Sequence, residues 1–327
     1  METINGITFG FMSQRGDWQD PMSRESLRMM KEELAASHVI LPITVTQAHP
    51  QSTKIDWQSD NVLIDAEVKG MIAYAQGIGL KVILKPMVNV ADGTWRAHIN
   101  FFDYDVPCEP TWSQWFDSYR EYLNHYAKLA EETGCVMLVI GCELVNSDRR
   151  EAQWRETISQ IRQHYNGLLT YNCDKYQENN LTWWDAVDVI SSSGYYPIDK
   201  WEQELDRIEQ VVNHYQKPFF FCEVGCPSRE GSQYLPNDWS FSGEVSMIAQ
   251  SRWFEKMFTA CDKRNWIQGF GIWDWRARLY SREMALKDDD YGVYGKPAAA
   301  IIREFYKSTK QYIKVYTFKW ECSIIFM

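Results

Sequence analysis

Short runs of apolar residues recur along the chain, separated by longer stretches in which apolar residues return at helical spacing. Eight such pairs can be drawn, the pattern of βα units around a parallel sheet. The predicted strands are Ile4–Met12, Val39–Thr46, Lys81–Asn89, Val136–Leu144, Leu168–Cys173, Val187–Tyr195, Pro218–Val224 and Gln268–Trp275. Their apolar residues follow one another with little alternation, as expected of parallel strands covered on both faces. Asp20 followed by Pro21 reads as an N-cap with proline at the first helical position, and Thr111 with Gln114 reads as a capping box. The helix opened by Thr111 sets Trp115, Tyr119, Tyr122, Tyr126 and Leu129 on one stripe, which is read as core. Gly77, Gly79 and Gly134 fall where helices should stop. Between the fifth and sixth strands only a brief helix, around Trp183–Ala186, fits.

Eight βα pairs predict an α/β chain folded as a single (β/α)8 barrel over residues 1–308, with its active site in the loops after the strands. The connections after the third and seventh strands are long and rich in Trp, Asp, Arg and Gly, so function is expected there. The segment 309–327 is aromatic and β-prone, but a closed barrel offers it no edge, and it is read as a tail of unassigned role.

Composition narrows the partners. The 327 residues carry a formal net charge of −10 and a sequence pI near 5.2, with no basic run, which argues against nucleic acid or an anionic membrane as partner. No apolar stretch reaches the length of a membrane span, and no secretory leader pattern opens the sequence, so a cytoplasmic protein is expected. The eight cysteines are scattered, several inside apolar runs, and read as free thiols in a reducing compartment. The six histidines are too dispersed to suggest a metal site, and no cofactor is expected.

Two carboxylates end apolar strands: Glu143 after Val139-Ile140-Gly141-Cys142, and Glu223 after Phe219-Phe220-Phe221-Cys222. A glutamate ending a buried strand needs a partner or a use. Each alone could simply pair with a nearby Arg or Lys. Together, on the fourth and seventh strands, they could face each other across the barrel mouth. Glycoside hydrolysis needs two such groups, one to protonate the leaving oxygen and one to attack the anomeric carbon.

Glutamates in these positions resemble the acid/base and nucleophile of the large retaining glycosidase clan A built on this barrel. A finer resemblance, over about Ile4 to Tyr306, is to glycoside hydrolase family 113, the β-1,4-mannanases. It is carried by Glu25-Ser26-Leu27, Gly79-Leu80-Lys81-Val82-Ile83-Leu84-Lys85-Pro86, Asp92-Gly93-Thr94-Trp95-Arg96 and Gly167-Leu168-Leu169-Thr170-Tyr171-Asn172. Trp183-Trp184-Asp185-Ala186-Val187-Asp188, Tyr195-Tyr196-Pro197 and Glu223-Val224-Gly225 complete the ordered series. The resemblance implies a metal-free retaining hydrolase of β-1,4-mannosidic linkages, with Glu143 as acid/base and Glu223 as nucleophile. Glu143 must then hold its proton near neutral pH while Glu223 stays ionised. Tyr196 or its neighbour Tyr195 is placed to donate to Glu223. One departure stands out: many members of the wider clan carry asparagine before the acid/base, where this chain has Cys142, a weak donor.

Sugar contacts are expected from aromatic platforms among the 15 tryptophans. Trp273 and Trp275 end the eighth strand and Trp95 lies in the long third loop, with Trp273 preferred at the cleavage subsite. Trp112, Trp115, Trp154 and Trp253 lie on helices and are read as core. Lys85, Asn89, Arg96 and Asn172 are candidates to bind hydroxyls. The expected partner is a β-linked oligosaccharide or polysaccharide. Competing readings are the same mechanism on xylan, galactan or glucan, a non-catalytic sugar-binding barrel, and a metal-dependent barrel hydrolase.

Overall fold

The computed structural model describes residues 1–308, so the tail at 309–327 lies outside the described residues. Eight strands, β1 (Ile4–Phe9), β2 (His38–Gln47), β3 (Lys81–Val90), β4 (Met137–Cys142), β5 (Leu168–Cys173), β6 (Val189–Ser193), β7 (Phe219–Val224) and β8 (Ile267–Trp275), pair in sequence order. All are parallel, and β8 returns to β1 to close the barrel. The helices are α1 (Pro21–Leu34), α2 (Asp65–Gly77), α3 (Trp112–Thr133), α4 (Glu151–Ile161), α5 (Trp201–Tyr215), α6 (Met247–Cys261), the short α7 (Arg282–Ala285) and α8 (residues 298–308). No α-helix joins β5 to β6; a 3-10 turn at Trp184–Ala186 serves instead. None of the described helices is long and apolar enough to cross a membrane.

The helix signals hold. Asp20 accepts from the Met22 N–H at the start of α1, and Thr111 and Gln114 close a reciprocal capping box on α3. Gly134 ends α3 in the left-handed conformation that glycine adopts without strain. The α3 stripe is fully interior, and its tyrosines also reach the sheet. Tyr119 donates to the Ile140 carbonyl on β4 (2.8 Å), and Tyr122 to the Ile43 carbonyl on β2 (2.7 Å).

Two apolar layers result. Ile4, Ile40, Ile83, Met137, Val139, Val189, Phe220 and Cys222 fill the barrel, while a larger layer lies between strands and helices. The filled barrel is a solid floor, so chemistry is confined to the strand ends above it. Three strands stop earlier than their apolar runs suggest. β1 ends at Phe9, where Gly10 turns at φ 70°; β4 ends at Cys142 and β6 at Ser193. Register shifts between Val139 and Cys142, and between Ser192 and Ser193, break the ladder just before the two ends that matter most for the site.

Candidate active site

Glu223 is the penultimate residue of β7 and is 3% exposed. A carboxylate so buried requires compensation, and three side chains from other strands or strand ends supply it. Lys85, at the middle of β3 and itself fully buried, makes an ion pair with Glu223 Oε1. Its Nζ also donates to Asn172 Oδ1 at 2.9 Å. Tyr195, two residues past the end of β6, donates its hydroxyl to Glu223 Oε2 at 2.9 Å. The Cys142 thiol at the end of β4 donates to Oε1 at 3.3 Å. Burial by itself raises the Glu223 pKa, but the charges of Lys85 and Arg96, with the hydrogen bonds from Lys85 and Cys142, outweigh it. The carboxyl is therefore held below its ordinary range and ionised at neutral pH. Burial and the nearby Glu223 charge push Tyr195 and Cys142 well above their usual values, so both keep the protons they donate.

Glu143 stands directly after β4 with φ 52°, a left-handed backbone uncommon outside glycine. Its N–H remains paired, donating to the Asn172 carbonyl at 2.8 Å, so the turn swings the side chain out of the ladder without detaching the chain. The carboxylate accepts from Ser193 Oγ on Oε1 (2.7 Å) and from Arg96 Nη1 (3.1 Å) and Trp95 Nε1 (3.3 Å) on Oε2. Asn89 Oδ1 fixes Arg96 through Nε (3.0 Å) and Nη2 (2.7 Å). Arg96 Nη1 also lies 3.4 Å from Cys142 Sγ, which places the thiol between the surroundings of the two carboxylates.

The structure brings most of the sequence candidates together but changes several assignments. Tyr195 is the neighbour of Glu223; Tyr196 is fully buried and points outward to Glu178. Trp273 is half-buried at the mouth, its ring 4.5 Å from Phe11 and 5.9 Å from Lys85 Nζ. Trp275, expected beside it as a platform, is instead fully buried behind the barrel, donating to Ser26 Oγ at 3.0 Å. The reason lies in the register: Ile7 pairs with Ile272 but Phe9 with Trp275, so β8 carries one residue more than β1 and the alternation of faces is broken.

Lys85 and Asn172, expected to bind hydroxyls, lie beneath Glu223 and Glu143 and are engaged by the protein. Both are fully buried with their polar atoms committed, Lys85 to Glu223 and Asn172, and Asn172 Nδ2 to Ser193 Oγ (2.9 Å). Asn89 orients Arg96. Trp95, 39% exposed, presents an accessible ring while its N–H reaches Glu143. Sequence reasoning missed Ser193 and Phe11. Ser193 ends the run Ser191-Ser192-Ser193, where an unbroken series of hydroxyls on a buried strand was an available signal for inward hydrogen bonding. Among the described residues, no group of three or more His, Cys, Asp or Glu side chains is placed to hold a metal ion.

The family model for Glycoside Hydrolase Family 113 matches residues 7–296. Two solved structures of a GH113 β-1,4-mannanase, one of them a complex, share 53% and 52% identity with this chain. Each covers 94% of this chain and 100% of its own, with a TM-score of 0.93. A GH113 β-mannanase from Alicyclobacillus acidocaldarius, solved in complex with ManMIm, shares 41% identity with a TM-score of 0.91, covering 94% of this chain and 98% of its own. Comparison with curated proteins gives no match. A Ruminococcus gnavus β-glucuronidase at 13% identity and a TM-score of 0.63 shares the fold alone. The family model spans the barrel and both glutamate-bearing strand ends, and the three similar structures agree with it: the chain is a glycosidase and belongs to glycoside hydrolase family 113.

Proposed function

We propose that the protein cleaves β-1,4-mannosidic linkages in mannan fragments or mannooligosaccharides with retention, Glu223 acting as nucleophile and Glu143 as acid/base. In the first step a Glu223 oxygen bonds to the anomeric carbon, the glycosidic C–O bond breaks, and the Glu143 proton passes to the departing oxygen. In the second, Glu143 takes a proton from water, the water oxygen bonds to the anomeric carbon, and the Glu223 ester oxygen leaves. The observation that carries this reading is the division of labour around the carboxyls. Glu223 is 3% exposed and paired with the fully buried Lys85, whereas Glu143, paired with Arg96, stands just after a strand end and takes a hydrogen bond from Trp95, whose ring is accessible. The half-buried Trp273 supplies an apolar face for a sugar ring next to Glu223's partner Lys85.

The mannosidic linkage is supported by the similar structures, two of a GH113 β-1,4-mannanase and one of a GH113 β-mannanase. Because Cys142 already donates to Glu223, the thiol is committed before any sugar arrives, in keeping with a substrate whose 2-hydroxyl is oriented differently from glucose. A cytoplasmic location belongs to the same proposal. The buried free thiols of Cys135, Cys142, Cys173, Cys222, Cys226 and Cys261 suit a reducing compartment, where fragments and not polymer would be the substrate.

The test is a mass-spectrometric product profile of wild type and Glu223→Ala on matched mannan, xylan, galactan and cellulose oligosaccharides. Cleavage confined to the mannose series and lost in the variant is expected. Cleavage of another series would overturn the substrate, and undiminished turnover by Glu223→Ala would overturn the mechanism.

A further inference from the structure

A continuous chain of hydrogen bonds runs from one glutamate to the other. Lys85 Nζ pairs with Glu223 Oε1 and donates to Asn172 Oδ1 at 2.9 Å. Asn172 Nδ2 donates to Ser193 Oγ at 2.9 Å, and Ser193 Oγ donates to Glu143 Oε1 at 2.7 Å. Lys85, Asn172 and Ser193 come from β3, β5 and β6, and all three are fully buried. Burying so many polar groups is costly unless each is paired, and here each pairing leads to a carboxylate.

The direction of the chain follows from its members. An ammonium can only donate, so the Asn172 oxygen faces Lys85 and its NH2 faces Ser193. A serine hydroxyl has one proton, and because Ser193 accepts from Asn172, that proton is turned to Glu143. Asn172 Nδ2 also donates to the Cys173 carbonyl at 3.2 Å, so the amide is engaged at both ends. The Asn172 main chain holds the same neighbours. Its carbonyl accepts from the Glu143 N–H at 2.8 Å, and the residue stands opposite Cys142, whose thiol donates to Glu223.

Strand pairing is weakest where this chain runs. The β4–β5 register shifts between Val139 and Cys142, just before Glu143, and the β6–β7 register shifts between Ser192 and Ser193. The β3–β4 ladder joins Ile83 and Leu84 to Met137 and Leu138 and ends below Lys85. Side chains therefore take over from the backbone at the level of the two glutamates.

We propose that Asn172 is a positioning residue for the reaction, its amide joining Lys85 to Ser193 so that Glu223 and Glu143 are held as one rigid unit. This rests on the two-glutamate reading above. Nucleophile and proton donor must meet the same glycosidic bond together, and a misplacement of about 1 Å can cost about 100-fold in rate.

The experiment measures kcat/KM of wild type, Ser193→Ala, Asn172→Leu and the double variant on mannotetraose and on a dinitrophenyl mannobioside, whose leaving group departs without a proton. Ser193→Ala frees the Glu143 end alone. It should lower kcat/KM on mannotetraose by about tenfold or more and leave the dinitrophenyl substrate close to wild type. Asn172→Leu frees both ends and should lower kcat/KM on both substrates by about tenfold or more. Because the two residues act in one chain, adding Ser193→Ala to Asn172→Leu should cost little more on mannotetraose. A general loosening of the barrel would make Ser193→Ala lower both substrates alike, and independent roles would make the two losses multiply. Either result overturns the proposal, as does wild-type cleavage of mannotetraose by Ser193→Ala or of the dinitrophenyl substrate by Asn172→Leu. Should Asn172→Leu fail to fold, Asn172→Ala, which also deletes the amide, takes its place with the same expectations. Undiminished mannotetraose cleavage by Glu143→Ala would overturn the two-glutamate reading itself. Its loss, alongside equal losses by Ser193→Ala on the two substrates, would overturn the Asn172 proposal alone.

Discussion

At the scale of single residues, the nucleophile candidate depends on a cation that touches nothing but the protein. Lys85 is fully buried and its ammonium is divided between Glu223 and Asn172. Replacing it by methionine leaves Glu223 buried without its principal counter-charge, which should cost about 3–5 kcal/mol of stability, read by urea unfolding. Because Glu223 is depressed in the folded state, its charge stabilises the fold above the unfolded carboxyl value, about 4.3, and that contribution is lost as pH falls through the lower folded value. On the proposed mechanism the same charge is the one the reaction needs. Lys85→Met should therefore move the acid limb of kcat/KM upward by about one pH unit or more; an unmoved limb would show that Lys85 does not set the ionisation of Glu223. The two glutamates were legible in the sequence because an acidic residue ending an apolar strand has few uses. Their partners were not. Lys85 reads as a hydroxyl binder from sequence, and only the closed barrel brings its ammonium from β3 to the Glu223 carboxylate on β7.

At the scale of elements, the site is aimed by irregularities in otherwise regular strands. Glu143 leaves β4 with a left-handed turn, after a register shift that begins at Val139. Gly141 lies inside this irregular stretch, where an added Cβ would come 2.7 Å from the Tyr171 ring and 3.0 Å from that of Trp154. Both rings are buried and locked, Tyr171 by its hydroxyl to the Leu144 N–H (3.0 Å acceptor contact) and Trp154 by its indole to the Ser147 carbonyl (3.1 Å). Gly141→Ala should destabilise the protein by about 1–3 kcal/mol in urea unfolding and lower kcat by displacing Glu143. Full stability and full activity together would contradict this account of the turn. Strand order, the α3 stripe and the short β5–β6 connection follow from apolar spacing and capping residues, which act locally. The assignments of Tyr195 over Tyr196 and Trp273 over Trp275 do not. They depend on where β6 stops and on the extra residue of β8, and both are settled by pairing with a neighbouring strand.

At the scale of the molecule, closure of the barrel turns scattered strand ends into one site. β8 pairs with β1, and α8 latches that seam through the Tyr306 hydroxyl, which donates to the Gly6 carbonyl at 2.9 Å. Only then do Lys85 of β3, Cys142 of β4, Tyr195 beyond β6 and Glu223 of β7 converge, so no local segment carries the nucleophile's environment alone. The acidic surface, with its net charge of −10, suits a neutral glycan, while the aromatic faces at the mouth supply the apolar contact such a substrate requires. A nucleophilic Glu223 forms a covalent bond to the sugar, and that bond can be trapped. A 2-deoxy-2-fluoro-mannosyl fluoride should label the protein once. Mass spectrometry of its peptides should place the label on Glu223, with Glu223→Ala left unlabelled. A label on another residue, or a labelled Glu223→Ala, would contradict the account.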